Sequence, residues 1–329
     1  MLDFKQDALY DITGIGSALL DFTVEVDDGV LDRFGLVKGG MQLIDEDRSR
    51  ELLDELKNHP LEISPGGSAA NTVAGVSNFG GSGLFIGKVG KDVHGSRYID
   101  DTERSGVKAH LGRNDHMTGH AITFITPDRE RTFATHLGAA QRLSRDDISE
   151  QDIRDSRIIH IEGYLFEPPG LREVCMHAIE IAKKHAVRVS IDLSDPGLIL
   201  RIHGVFMDVV KRYADIVFVN EDEARSFTGK EREMALDHIH ELCGFAVVKL
   251  GPGGSLIKSR GVSHNIPVYK TEVVNTNGAG DMYAGGLLYG LARGMTPEQS
   301  GKLGSYGSSL VISQVGARLK GRIDISKIV

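Results

Sequence analysis

Six short apolar runs rich in Val, Ile and Phe recur along the chain, at Leu9–Gly14, Leu84–Val89, Ile158–Ile161, Val187–Asp192, Ile216–Asn220 and Ala246–Leu250. Most are apolar at nearly every position rather than at alternate ones, which predicts strands buried on both faces. Between them, Glu46–Lys57, Ser68–Phe79, Leu171–His185, Glu221–Phe227, Glu231–Leu242 and Met282–Arg293 carry apolar residues at helical spacing with polar breaks. Strand–helix alternation at this rhythm predicts an α/β fold, a mostly parallel central sheet with helices on both faces. Sheets of that kind bind ligands beyond the carboxyl ends of their strands.

Two stretches depart from the rhythm. Residues 22–45 and 113–135, the latter with an alternating Ala121-Ile-Thr-Phe-Ile-Thr run and a turn from Pro127 to Glu130, suit small antiparallel strands outside the main sheet. Insertions at strand ends commonly build lids, so these pieces are expected to form a discontinuous β-lid on one domain spanning residues 1–329. Surface decoration would show the same pattern. No repeat, low-complexity tract or Pro-rich linker divides the chain.

Charge narrows the function. Thirty-eight Lys and Arg stand against 46 Asp and Glu, a net charge of −8, which argues against nucleic acid or an anionic membrane as partner. A small phosphorylated ligand stays compatible, because backbone N–H groups and helix N-termini hold such anions locally. Cys175 and Cys243 belong to no paired spacing, and no apolar stretch reaches a membrane-spanning length, so a reducing cytoplasm is expected.

Forty glycines are present, and they cluster. In Asn275-Thr-Asn-Gly-Ala-Gly-Asp281, which follows a strand-like run from Val268 to Val274 and opens a helix, Gly278, Ala279 and Gly280 present bare N–H groups where the helix dipole favours an anion. Asp281 falls in the first turn, where it can accept a proton from a hydroxyl. A donor nest beside a carboxylate is the equipment of phosphoryl transfer. An ordinary capped helix start would look alike, although Gly285 and Gly286 inside the helix also point to close backbone packing. A second cluster, Ser64-Pro-Gly-Gly-Ser-Ala-Ala-Asn71, lets a ligand approach the backbone at Gly66 and Gly67 and offers the Asn71 amide to a hydroxyl. No GxxxxGK[ST] loop occurs. The Gly14-Ile-Gly run has Leu19 where a dinucleotide fingerprint needs glycine, and His160, His177 and the other histidines show no metal-ligand spacing.

Taken in order along nearly the whole chain, these segments resemble the PfkB/ribokinase family of carbohydrate and nucleoside kinases. Gly66–Asn71 with Gly87-Lys-Val-Gly-Lys-Asp-Val-His-Gly95 is similar to the family's N-terminal signature, and Val274–Asp281 to its C-terminal one. The resemblance implies a ribokinase-like core of about nine strands with a β-lid, Asp281 as catalytic base, and Gly278, Ala279 and Gly280 as anion hole. It implies acceptor contacts from Asp21, Ser17, Gly66, Gly67 and Asn71. ATP would be met by Asn220, Lys249, Gly251, Gly253, Gly254 and Asn277, with Glu223 of Asn220-Glu-Asp-Glu223 organising Mg²⁺ indirectly. Asn275 departs from the family's usual Asp at a loop position linked to a monovalent cation in some members, and a neutral amide removes the charge that would favour such an ion.

Further details are similar to the adenosine-kinase branch of that family: Lys38–Asp45, the Gly66-Gly-Ser start, Asn277, Arg131–Ala140 and Ile312–Arg318. The acceptor they imply is a purine ribonucleoside, adenosine above others, phosphorylated at its 5′-hydroxymethyl group. Phe34, Phe133, Leu137, Tyr164 and Phe166 are candidates for the base wall. A sugar kinase acting on ribose, fructose or a related acid, or a non-catalytic nucleoside or nucleotide sensor, would keep the same fold. Monomers and lid-mediated homodimers both occur in such a family.

Overall fold

The computed structural model describes residues 3–128 and 130–328. Met1 and Leu2 at the start of the chain, and Arg129 in the expected turn, lie outside the described residues.

The chain opens with β1 (Tyr10–Ile15), crosses through Gly16–Leu19 into β2 (Leu20–Glu25), and continues through α1 (Asp28–Arg33), β3 (Met41–Leu43), α2 (Glu46–Glu55) and β4 (Glu62–Pro65). α3 (Ser68–Asn78) leads to β5 (Gly83–Gly90), α4 (Val93–Arg104) and β6 (Val107–Asn114), after which β7 (His120–Ile125) and β8 (Arg131–His136) form a hairpin. Strands and helices then alternate through α5 (Glu150–Arg154), β9 (Ser156–Glu162), α6 (Pro169–Lys184), β10 (Arg188–Asp192), α7 (Pro196–Arg201), α8 (His203–Tyr213) and β11 (Ile216–Asn220). α9 (Glu221–Thr228), α10 (Arg232–Cys243), β12 (Phe245–Lys249), the β13 (Ser255–Ser259) and β14 (Val262–Ile266) hairpin, α11 (Ala279–Ala292) and α12 (Pro297–Ile312) complete it.

Nine strands make the main sheet in the order β14-β13-β12-β11-β10-β9-β1-β5-β6, parallel from β12 to β6 and antiparallel in the terminal hairpin. This is the ribokinase-like α/β architecture. Side-chain alternation along each strand feeds two cores. Ile158, Phe218 and Val247 join Val73, Met282 and Leu287 on one face, whereas Ile159, Val217 and Val248 join Val174, Val209 and Leu236 on the other. The order reverses at β1, whose neighbours are β9 and β5, and this is where such a sheet opens a crevice beyond its strand ends.

α3, α11 and α12 approach one another backbone to backbone. A Cβ added at Gly285 would lie 2.7 Å from the Thr72 carbonyl, and one at Gly286 would lie 2.8 Å from the Gly304 Cα. The glycines that weaken helix propensity in the sequence are the contact points of these helices.

All six predicted strands and all six predicted helices are present, with ends shifted by a few residues. The strand expected over Val268–Val274 is absent: the segment is irregular, and the Val274 and Asn275 N–H groups donate to the Ile312 carbonyl at the end of α12 instead of to a sheet. The structures outside the main sheet differ in detail from the expectation. They form a five-stranded mixed sheet, β3-β8-β7-β2-β4, in which β2 pairs parallel with β7 and β3 with β8. β4, outside both expected pieces, contributes an edge, and Arg113 and Asn114 belong to the main sheet. α1 and α2 cover one face of this second sheet with Leu31 and Leu52.

Candidate active site

The other face of the second sheet looks across the crevice. Arg131 identifies it, since its Nη1 donates to Asn275 Oδ1 at 2.8 Å and to Asn277 Oδ1 at 3.1 Å, joining β8 to the loop before α11. By strand alternation, Phe133 and Thr135 share that face. Registered pairs carry it across the sheet, so Asp21, Ala121, Thr135 and Leu43 form one row and Thr23, Thr123, Phe133 and Met41 the next. Met41 and Leu43 are 60% and 65% exposed.

Opposite this face, α11 begins at Gly278, whose φ of +74° suits glycine alone at little cost. The N–H groups of Gly280 and Asp281 take no backbone acceptor among the described residues, whereas that of Ala279 is partly engaged by the Thr276 carbonyl at 3.3 Å. Gly278 also lets the chain pass close by: a Cβ there would lie 2.4 Å from the Ala317 carbonyl. Asp281 accepts from Ser68 Oγ at 2.7 Å and from Asn71 Nδ2 at 2.9 Å, both on α3. Burial pushes its carboxyl above the ordinary range; Asn71 and Ser68 pull it back, Asp192 adds to the rise and Lys249 opposes it.

Asp21 stands at the start of β2 beside Gly66, close enough that a Cβ on Gly66 would lie 2.5 Å from Oδ2. Burial lifts its pKa to about 6 against the pull of the Arg318 guanidinium, and Asp281 adds to the rise. No described side chain donates a hydrogen bond to it. Gly67 has φ +90°, and a Cβ there would lie 2.2 Å from the Ser17 carbonyl, so the 66–67 turn and the β1–β2 loop interlock. Glu162, fully buried at the end of β9, ties the same two segments: Oε1 accepts the Ser17 N–H at 2.8 Å and Oε2 the Ala69 N–H at 3.1 Å. Ser17 thus offers the site its backbone position.

On the far side of α11 lies a cavity of about 660 Å³ between Lys249, Asn220, Gly251, Gly254, Ala279 and Gly280 at one end and Val268, Val273 and Ile312 at the other. Gly253 and Asn277 do not line it. Lys249 Nζ pairs with Asp192 Oδ2 at 2.8 Å; burial works against its charge, but Asp192 and Glu223 hold it above the ordinary lysine value. Glu223 caps α9 reciprocally, accepting the Asn220 N–H at 2.7 Å on Oε2 and Asn220 Nδ2 at 2.6 Å on Oε1. Burial raises its pKa to about 7, with Asp192 adding and Lys249 opposing. Both Glu223 oxygens are engaged, and no cluster of three His, Cys, Asp or Glu able to hold a metal exists among the described residues. Carboxylate and amide oxygens such as those of Glu223, Asp192 and Asn220 are donors that suit magnesium reached through water, the manner in which that ion is commonly bound.

Of the candidate aromatic walls, Phe133 faces the cleft, whereas Phe34 packs on Phe124 and Arg48, and Phe166 is fully buried against Phe206. Tyr164 is 47% exposed near Ser194. Leu137 lines a second cavity of about 310 Å³ with Leu43, Thr135 and His136. His160 is a core residue bonded to Ser190. Glu162 and Asp192 were not singled out from the sequence, and Ser68, Arg131 and Arg318 entered only as members of segments similar to the adenosine-kinase branch, with no role at the site. Glu162 and Asp192 carried a signal, since each is an acidic residue ending an apolar strand.

An anion-binding helix start, a carboxylate between it and a covered crevice, and a nucleotide-sized cavity define a phosphotransferase with an alcohol group as acceptor. The model of the pfkB family of carbohydrate kinases matches residues 34–322, and the chain belongs to that family. It is 28% identical over 330 residues to the adenosine kinase of Saccharomyces cerevisiae, covering 92% of this chain and 94% of that one. It is 31% identical over 263 residues to the 5-dehydro-2-deoxygluconokinase of Bacillus subtilis, covering 76% and 81%. Among solved structures, the adenosine kinase from Sinorhizobium meliloti superposes with a TM-score of 0.86 at 34% identity, covering 95% and 96%. A probable sugar kinase from Rhizobium etli gives 0.86 at 33%, covering 94% and 95%. No helix among the described residues is long and apolar enough to cross a membrane.

Proposed function

We propose that the protein transfers the γ-phosphoryl group of ATP to the 5′-hydroxymethyl group of a purine ribonucleoside, adenosine in the first place. The observation that carries this reading is the position of Asp281, fixed by Ser68 and Asn71 between the 660 Å³ cavity and the row that leads from Asp21 to Leu43. Asp281 takes the hydroxymethyl proton as the oxygen attacks the γ-phosphorus and ADP leaves; the proton then passes to solvent. A raised pKa suits that task, because a more basic carboxylate removes the proton more readily. N–H groups at Gly278–Gly280 meet the charge developing on the phosphoryl oxygens. Asp21 accepts from the acceptor's other hydroxyls, with Gly66, Gly67, Ser17 and Asn71 shaping the floor. Asp192 and Glu223 would hold magnesium through water, where it would neutralise phosphate charge; Lys249 contributes a fixed positive charge at the same end.

Acceptor length favours the nucleoside. Three strand spacings of roughly 4.8 Å separate Asp21 from Leu43, and the 310 Å³ cavity opens at that far end, room that a lone pentose leaves empty. Exposed Met41 and Leu43 beside Phe133 offer an apolar surface to a base. The second sheet acts as the lid of this one-domain enzyme, with Arg131 as its contact to the anion nest, excluding water from the transfer. Both cysteines are free and buried, which supports a reducing, cytoplasmic setting. A second reading, a sugar-acid acceptor, draws on the 5-dehydro-2-deoxygluconokinase relatives and on Arg131, a cation whose side-chain partners among the described residues are the amide oxygens of Asn275 and Asn277. ATP-dependent phosphorylation with adenosine, inosine, guanosine, ribose, fructose and 5-dehydro-2-deoxygluconate side by side, with Asp281→Asn as control, tests both. Preference for the sugar acid would replace the nucleoside assignment.

A further inference from the structure

We propose that Arg318 is a positioning residue of the phosphotransfer site, fixing the Asn71 amide so that its Nδ2 rather than its Oδ1 meets the base. The proposal rests on the reading of Asp281 as that base.

An asparagine amide can turn by 180° with almost no change in shape while exchanging a donor for an acceptor. With Nδ2 toward Asp281, Asn71 donates at 2.9 Å to Oδ2; turned over, it would set an oxygen against a carboxylate oxygen. The choice is made at the other end of the amide. Arg318 Nε donates to Asn71 Oδ1 at 2.8 Å, and because a guanidinium has only donors, it can bond Oδ1 but not Nδ2.

Arg318 is itself held. Its Nη2 donates to the Gly66 carbonyl at 2.9 Å, and its own carbonyl accepts Gln314 Nε2 at 2.8 Å. Beyond it, Asn78 at the opposite end of α3 donates to the Leu319 carbonyl at 3.3 Å and accepts the Ile323 N–H at 2.7 Å. The segment therefore straps α3 from end to end while Ala317 lies against Gly278 of the anion nest. The guanidinium also lies over the Tyr98 ring at 5.9 Å. It forms no ion pair among the described residues, and its Nη1 is buried without a hydrogen-bond partner, so part of its desolvation is not offset.

Charged groups from four strands face Asp281: Asp192 from β10 and Lys249 from β12 act on it directly, and Glu162 from β9 and Asp21 from β2 feel its charge in turn. Arg318 bears on Asp281 through Asn71 and on Asp21 by its charge. Both effects have one sign. Without Arg318, the Asn71 amide is free to turn, Asp281 loses a donor and holds its proton more tightly, and Asp21 does likewise.

The test is the pH dependence of kcat from pH 5 to 9 for the wild type, Arg318→Met, Arg318→Lys, Asn71→Ala and the Asn71→Ala/Arg318→Met double variant, using the acceptor with the highest turnover. Thermal melting is followed in parallel. Losing one hydrogen bond to a charged group corresponds to about a tenfold fall in kcat and to an acid limb moved up by about one pH unit. Arg318→Lys, which keeps one donor, is expected to recover part of both. In the Asn71→Ala background, Arg318→Met is expected to change neither kcat nor its acid limb further; its remaining effect, through the charge it places on Asp21, is read separately in the acceptor kcat/KM. Losses that simply add in the double variant, or an Arg318→Met profile lowered without a moved limb, would overturn the proposal. Should the Met variant fail to fold, the Lys variant and its double carry the same comparison. Failure of the underlying reading shows separately, as turnover retained by Asp281→Asn.

Discussion

Adjacent glycines at 66 and 67 separate the acceptor clamp from the stability of the fold. Gly66 has no positive φ, so alanine suits its backbone, and the first atoms its methyl group meets are those of the Asp21 carboxylate, 2.5 to 2.9 Å away. Ordinary contact begins near 3.4 Å, so Asp21 must retreat by about 0.9 Å. A carboxylate at the end of a short side chain can do this by rotation, at little cost to folding. Its hydrogen bonds to the acceptor cannot follow; each such bond to a charged group contributes about 1.5–3 kcal/mol, and a 1 Å misplacement can cost about a hundredfold in rate. Gly66→Ala is therefore expected to raise the acceptor KM about ten- to a hundredfold, with the ATP KM and the melting temperature nearly unchanged. Gly67→Ala is the contrast: φ +90° and a methyl group 2.2 Å from the Ser17 carbonyl strain the backbone itself, so melting temperature and activity fall together. Steady-state kinetics with each substrate varied in turn, alongside thermal melts, separate the cases. An unchanged acceptor KM in a folded Gly66→Ala protein would refute Asp21 as the clamp.

Asp281→Asn is expected to lower kcat by about 10²- to 10⁴-fold while ATP binding, read by equilibrium dialysis, persists. Asp21, with a pKa of about 6, loses its charge as pH falls through that value, so the acceptor kcat/KM should drop below pH 6; Asp21→Asn should abolish that pH dependence along with most affinity. Lys249→Met leaves the buried Asp192 and Glu223 carboxylates without their cation and is expected to cost about 3–5 kcal/mol in denaturant titrations, part of it recovered by adding Asp192→Asn. Gly286→Ala, whose methyl group would meet the Gly304 backbone at 2.8 Å, should destabilise by about 1–3 kcal/mol and slow turnover through α11.

The buried parallel strands were legible because burial on both faces leaves an uninterrupted apolar run, as at Ile216–Asn220. The half-exposed edge strand β6, with Lys108, His110 and Arg113, leaves no such run, and α12 hides its helical period behind three glycines and four serines, most of them buried in close packing. Val268–Val274 misled for the reverse reason: Val268 and Val273 line the 660 Å³ cavity rather than a core, and hydrophobicity does not distinguish the two. At the candidate site, local motifs were visible wherever the proposed role and turn chemistry coincide, as at Gly66–Asn71 and Gly278–Asp281. Glu162 and Arg318 act on segments 93 to 252 residues away; the strand end that carries the one and the segment that carries the other mark the residues but not these contacts.

The glycine contacts joining α3, α11 and α12 divide the molecule by its tolerance of change. At Gly75, Gly285, Gly286 and Gly304 an extra methyl group meets main chain or a packed side chain, so the frame carrying Asn71 and Asp281 is closed to variation. The cleft face of the second sheet instead presents side chains, with Met41 and Leu43 well exposed, where exchange meets no such backbone contact. On the proposed reading, acceptor choice rests on a surface tolerant of mutation, while the chemistry is held in a frame that is not. An engineer seeking a new acceptor would work on β3 and β8 and leave the helices alone.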